Sequence, residues 1–406
     1  MKKWIILFSG VILQTILGGI YAWSEFAVPL VEDYGLTRQQ TGQIFGLTIA
    51  VFALSMNPAA RLLHRFGPRL TASLGVFLYT CGYFLASRAD GNFSLLLVSF
   101  GILMGSGIGF GYVCPLTVNM KWFPEKKGLV TGIAVGGFGA GAILISNLAQ
   151  YLMHHHGYNL SQIFMFLALY PGAIAMLAVQ TFSSPSDCST KIKEQKKISF
   201  KSTLLSPEFL LILLGMFSGT FAGLLIIGNL KPMMLAAGLE EAIATLCISV
   251  FAAGNITGRV LWGQISDRLS PWKTILAAKL IFIFAITLLM MTGSDSALVL
   301  VACFSVGLGF GSCFVIYAAA VADLYGVKLF GKLYPLVFAA YGLAALTGPQ
   351  TGGWLADFSG SYIWGMATGT TLIIISGFLV LLVTCPEILE SLKFRLINVR
   401  RRLVSN

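Results

Sequence analysis

Charge is what this chain has least of. Only 11% of its 406 residues are Asp, Glu, Lys or Arg, while 56% are hydrophobic and the mean hydropathy is +0.83. A soluble domain carries about 25% charged residues, so water is excluded as the main solvent. Segments of about 10 residues with alternating polarity are also missing, which argues against an outer-membrane barrel. The seven cysteines show no C-x-x-C spacing and sit mostly in apolar runs, so neither a disulfide framework nor a zinc site is indicated. A clustered nucleophile, a set of metal ligands and a carboxylate pair are all lacking, so the sequence offers no catalytic residue and does not read as an enzyme. No ATP-binding motif is present, no cofactor is expected, and any work done must draw on a gradient.

What is present is apolar sequence in runs of helical length. A helix needs about 20 such residues to cross a bilayer core of about 30 Å. Twelve stretches qualify: 4–30, 42–63, 69–88, 92–118, 127–153, 160–181, 206–236, 241–264, 272–292, 296–322, 332–356 and 362–384. The expected fold class is therefore an all-α polytopic membrane protein with twelve transmembrane helices. Lys2 and Lys3 open the first run, which is too long for a signal peptide and lacks a small-residue cleavage pattern.

The net charge of +11 would suggest nucleic acid in a soluble protein, but its distribution explains it as topology. Of the 27 Lys and Arg, 22 fall on one side of the predicted spans, three (Arg38, Arg88, Lys231) on the other, and two (Arg259, Lys279) within spans. The positive-inside rule makes the crowded side cytoplasmic, with both termini there, in the inner membrane. Nucleic acid is not expected as a partner.

The one long polar segment, 183–204, divides the chain into halves of six spans. The expected organisation is an N-terminal bundle over 1–182, a cytoplasmic linker over 183–204, a C-terminal bundle over 205–386 and a basic cytoplasmic tail over 387–406. A single offset of 203 residues matches Pro29 with Pro232, Arg65-Phe66-Gly67-Pro68 with Arg268-Leu269-Ser270-Pro271, and Gly128 with Gly331. Two parallel six-span repeats are the arrangement of the major facilitator architecture. GQISDRLSPWK (263–273) resembles the signature loop of that superfamily, and Asp267, Arg268 and the earlier Arg65 are its gating candidates. In the first copy, ARLLHRFGPRL (60–70), Ala60 replaces Gly and His64 replaces Asp.

GSGIGFG (105–111) sits mid-span, so Gly105/Gly109 and Gly107/Gly111 read as helix-packing pairs, continued by Gly128, Gly132 and Gly136. GGIYAWSEFAVPL (18–30) and GFGYVCPLTVNMKWFPEKKGLVTGIAVGGFGAGA (109–142) are similar to stretches of the oxalate/formate antiporter family, a carboxylate-carrying branch related to the monocarboxylate transporters. That resemblance implies that Arg259, before the Asp-Arg loop, holds a carboxylate. It also implies that the second cation of dicarboxylate carriers, in span eleven, is replaced here by Tyr341. Family members usually carry an apolar residue where this chain has Glu25.

The residues themselves leave two readings of Arg259. A charge within a span costs at least about 2.5–3.5 kcal/mol and normally faces a cavity, yet an arginine eight residues before Asp267 can also snorkel. The repeat pairs it with Met56, so it is no part of a symmetric gating frame. Asn255 lies one turn away on the same face. Tyr112, nine residues before Lys121, and Tyr341, nine after Lys332, share its depth and can donate to a carboxylate. Tyr21, Trp23 and Phe138 are weaker candidates, Phe138 being paired with Tyr341 by the offset. Lys279 reads as a snorkelling or structural residue, Glu25 as a solvated rim residue near the outer surface, and His154–His156 as an external polar loop.

The expected function is gradient-driven transport of a small monocarboxylate such as formate, lactate or acetate, with a proton or counter-anion as the coupled species and the chain acting as a monomer. Oxalate:formate exchange and efflux of another small molecule are the alternatives. Arg259 speaks against a cationic cargo, and the short tails speak against a membrane sensor with an appended soluble domain.

Overall fold

The computed structural model describes residues 2–123, 127–183 and 203–384. The basic tail and all but the ends of the linker fall outside the described residues. Within them every regular element is helical.

In the first half, α1 (Lys2–Gly18) passes through a 3-10 turn, Gly19–Ala22, into α2 (Trp23–Glu32). Then come α3 (Arg38–Ala86), α4 (Phe93–Leu96) with a π-helical stretch over Leu97–Met104, α5 (Gly105–Trp122), α6 (Lys127–His156) and α7 (Leu160–Val179). The second half holds α8 (Pro207–Gly228), α9 (Leu230–Ala236), α10 (Glu241–Ser266), α11 (Pro271–Met291), α12 (Ser296–Ser359) and α13 (Ile363–Thr384). Helix starts follow the sequence closely. Thr37 with Gln40 and Asn159 with Gln162 form reciprocal capping boxes that satisfy the first free backbone N–H groups.

Among the described residues nine helical segments are long and apolar enough to cross a membrane, and one of them, Arg38–Ala86, is double. A straight α3 would hold Thr48 and Tyr79 about 46 Å apart. Instead α5 lies against both, because a Cβ at Gly105 would meet the Thr48 carbonyl and one at Gly107 the Tyr79 amide, at 2.6 and 2.5 Å. The helix therefore folds back, and the break is at Gly67, whose φ of 83° is unfavourable for any residue with a Cβ. In α12, Phe314 and Tyr341 would be about 40 Å apart on a straight axis, yet their rings are 5.3 Å apart. Counting α3 and α12 twice, and α1–α2, α4–α5 and α8–α9 once each, gives twelve passes in two sets of six.

Glycine lets these passes touch backbone to backbone, which is how helices associate where lipid removes the hydrophobic driving force. Gly105 and Gly109 face Thr48 and Phe52 on one arm of α3, and Gly107 and Gly111 face Gly75 on the other. The second half repeats the device: Gly307 and Gly311 meet the carbonyls of Phe251 and Asn255, and Gly254 and Gly258 those of Phe304 and Leu308. Gly136 departs from the sequence reading, since a Cβ there would meet nothing within 4 Å.

The halves meet at the end that carries Arg38. Gly46 abuts the Ala345 carbonyl, Gly353 abuts the Arg38 carbonyl, and a Cβ on Gly42 would lie 2.6 Å from the Pro349 carbonyl. Asp357 accepts from the Gln39 amide at 3.0 Å and lies 4.0 Å from Arg38 Nε.

Candidate functional site

Arg259 projects from the last third of α10 into the seam between the halves. It is partly buried, its Nε donates to Asn255 Oδ1 one turn earlier at 3.2 Å, and its guanidinium lies 4.6 Å from the centroid of the Phe314 ring. Asn255 is buried because α12 packs against its backbone through Gly311. Among the described residues the ion pairs are Arg38–Asp357, His154–Glu241, Lys231–Glu25 and Lys231–Glu241, so no carboxylate claims Arg259.

Tyrosines surround this cation. Tyr21, Tyr112, Tyr334 and Tyr341 all lie within electrostatic reach of the guanidinium. Tyr21 Oη and Tyr341 Oη are 3.1 Å apart, joining the 3-10 turn of the first half to α12 of the second. Behind them stands a wall of rings. Phe138 is edge-on to Tyr21 at 5.4 Å and to Tyr112 at 5.2 Å, while Phe52 stacks on Phe138 at 5.9 Å. On the other side Phe314 is edge-on to Tyr341 at 5.3 Å and to Phe310 at 5.2 Å. A planar two-pronged donor, neutral hydroxyl donors and an aromatic wall suit a carboxylate with a short apolar tail.

Thus Arg259, Asn255, Tyr112, Tyr341, Tyr21 and Phe138 come together. Phe314, Tyr334 and Phe310 join them without having been singled out in the sequence. A signal for Tyr334 existed, because it precedes Tyr341 by seven residues and shares its helix face.

Residues 4–349 match the Major Facilitator Superfamily. The chain belongs to this family of membrane transporters. It is 26% identical over 353 residues to the "Uncharacterized MFS-type transporter YhjX" of Escherichia coli (strain K12), covering 85% of this chain and 86% of that one. It is 24% identical over 375 residues to the "Oxalate:formate antiporter" of Oxalobacter formigenes, covering 90% and 87%. A bacterial homologue of the human lysosomal transporter Spinster, solved in an inward-facing and occupied conformation, superposes with a TM-score of 0.74. That alignment covers 93% of this chain and 96% of the other at 16% identity, and so reports the shared fold.

Other candidates sit elsewhere in this facilitator. Trp23 points into the first half, stacked on Phe45 at 6.3 Å and edge-on to Phe100 at 5.1 Å, and does not join the tyrosines. Arg65, Asp267 and Arg268 are exposed at helix junctions, with the Arg65 guanidinium 5.1 Å from the Phe66 ring. Lys279 does not snorkel: it is buried and donates to Ser376 Oγ at 2.6 Å and Ser218 Oγ at 3.1 Å, tying α11 to α13 and α8. His154–His156 form the last turn of α6 instead of a loop. Cys114, Cys247, Cys303 and Cys313 are buried, whereas Cys188 and Cys385 lie outside the described residues.

Glu25 corrects the sequence reading most sharply. It is 0% exposed, with Oε1 2.6 Å from Lys231 Nζ and Oε2 accepting from Thr245 Oγ1 at 2.9 Å. Counting residues from Lys3 gives depth along one helix axis and ignores lateral cover. The second half supplies that cover, and a carboxylate buried against it is stable only because a cation and a hydroxyl meet it there.

Proposed function

We propose that this facilitator carries a small monocarboxylate across the inner membrane by alternating access, the two halves rocking about the Arg259 site. The observation that supports it is the intramembrane guanidinium with no carboxylate partner among the described residues, ringed by hydroxyls and backed by phenylalanines. The name of the Oxalobacter formigenes relative supports a carboxylate cargo. One cation favours one negative charge. Lys279 is held by serines on α8 and α13 and Lys231 by carboxylates, so a dianion at Arg259 would keep one charge unpaired at a cost of several kcal/mol.

Labelled lactate uptake into proteoliposomes tests this reading. Unlabelled formate, acetate and lactate should each compete at least about tenfold better than oxalate, a difference of about 1.4 kcal/mol. Stronger competition by oxalate than by the three together would refute the single-charge assignment.

The 22-to-3 charge asymmetry supports an orientation in which the linker and both termini are cytoplasmic. Thr190→Cys in a cysteine-free background should resist impermeant thiol reagents in intact cells and react in inverted vesicles. Ready labelling from outside would reverse the orientation.

A further inference from the structure

Where the two halves close at the Arg38 end, an imidazole and a carboxylate from opposite halves face each other. His154 lies in the last turn of α6, and Glu241 opens α10. His154 Nε2 is 3.2 Å from Glu241 Oε2, and the two side chains are 50% and 43% exposed. They end a line of contacts between α6 and α10 that starts beside Arg259. A Cβ on Gly139 would lie 2.6 Å from the Ile256 side chain, and about two turns farther out Asn147 Nδ2 donates to Ser249 Oγ at 2.9 Å. About two turns beyond that, the same antiparallel run brings His154 onto Glu241.

The other oxygen of this carboxylate is taken. Lys231 Nζ donates to Glu241 Oε1 at 2.8 Å and is itself held by Glu25 at 2.6 Å, so Oε2 is left turned to the imidazole. A ring nitrogen without a proton and a carboxylate oxygen both present lone pairs, so at 3.2 Å something positive must stand between them. A proton on Nε2 is one such group, and a transition-metal ion is another. Bonds of about 2.0–2.1 Å to nitrogen and about 2.0–2.2 Å to oxygen, at the tetrahedral angle, set the two ligand atoms about 3.3–3.5 Å apart. The pair has to spread by only a few tenths of an ångström to admit the ion.

Among the described residues no group of three His, Cys, Asp or Glu could hold a metal ion, so water must complete the shell. The exposure of both side chains leaves room for it. His155 and His156 are engaged elsewhere, their rings lying 4.8 and 5.4 Å from the Tyr151 ring. One imidazole with one carboxylate suits Zn²⁺, Cu²⁺ or Ni²⁺, whereas Mg²⁺ and Ca²⁺ take oxygen ligands.

We propose that His154 and Glu241 form a two-ligand site for a divalent transition-metal ion such as Zn²⁺, which clasps the halves together at the Arg38 end. Each half supplies one ligand, so the ion is held by both only while that end is shut. Opening draws α6 and α10 apart and leaves the ion on a single side chain. The ion is therefore an inhibitor of the transport cycle that arrives from the compartment on the Arg38 side. Its binding does not depend on what the carrier moves.

Equilibrium dialysis of Zn²⁺ against the full-length protein in nanodiscs tests the site without a substrate. One site per chain is expected, and His154→Ala and Glu241→Gln should each weaken it at least about tenfold, the least that loss of a supporting group costs a metal site. Dependence on both residues marks a bridge between the halves. Bound Cu²⁺ should show the hyperfine coupling of one imidazole nitrogen, lost in His154→Ala. His154→Cys supplies a softer ligand and should restore binding with a preference for Cd²⁺, which a purely structural histidine would not produce. Transport gives the second readout. A ligand that binds only the shut state suppresses opening about 100-fold at 100 times its dissociation constant. Exchange of labelled for unlabelled lactate should fall by that factor with Zn²⁺ and recover with chelator, while the ratio of rates with and without Zn²⁺ stays near unity in His154→Ala. Equal Zn²⁺ affinity in wild type and His154→Ala, loss of the site only when His155 and His156 are both replaced by alanine, or full exchange at saturating Zn²⁺ would overturn the proposal. Binding that needs both ligands in a protein that exchanges no carboxylate would support the clasp and refute the substrate reading alone.

Discussion

Arg259→Gln is expected to insert normally and transport nothing. Removing an intramembrane charge eases insertion, so the variant should reach the membrane in at least wild-type amounts. Losing one partner of a desolvated charge pair costs about 2–5 kcal/mol of binding, a factor of about 30 to several thousand. Arg259→Lys keeps the charge and gives up the planar fork that grips both oxygens, along with the flat contact on Phe314, so a weak remnant of uptake should survive. The order wild type, Lys, Gln separates an anchor from a residue that only reaches for the membrane surface, for which both variants would transport almost normally. Initial rates of labelled lactate uptake, normalised to protein in the membrane, decide it. A normal rate for Arg259→Gln would remove the main physical reason for an anionic cargo.

Gly46→Val is the second large effect, and it acts on motion instead of binding. A Cβ at Gly46 would run into the backbone carbonyl of Ala345, and no rotamer change relieves a clash with backbone. Overpacking typically costs about 1–3 kcal/mol, and at the upper end this shifts the closing equilibrium about 150-fold. Transport should fall by about that factor while spin labels placed at the exposed positions Asp33 and Ala237, one on each half, report a parted end. Gly136→Ala is the matched control, because nothing lies within 4 Å of its added methyl and its transport should stay near wild type. Normal transport by Gly46→Val would mean that the glycine seam is not part of the moving interface.

Much of this architecture could be read from hydropathy alone, since a bilayer admits few solutions and each pass needs a long apolar run. The twelve stretches correspond to the observed passes, including the two hidden inside α3 and α12. Depth counting also worked where a loop cation gave a fixed mark. Lys121 and Lys332 put Tyr112 and Tyr341 level with Arg259, and the structure has all three in one cluster. Counting failed where the answer lay across the seam. Nothing near Glu25 in sequence reveals Lys231, 206 positions later, and nothing near Phe314 reveals that Tyr341 folds back onto it. Trp23 shows the limit of helix position in another way: two residues from Tyr21, it turns into the first half's own core.

The seam at the Arg38 end has a kinetic consequence. Glycine contacts and a buried ion pair must all separate before that face can admit anything, and among the described residues no second ion pair has both partners buried. An empty carrier held shut at the Arg38 end is expected to idle with its binding residues offered to the other compartment. Anion already waiting in that compartment then loads first and carries the site across. Vesicles preloaded on that side should consequently take up tracer faster than empty ones, a trans-acceleration whose size measures how long the unloaded protein lingers before its slow return.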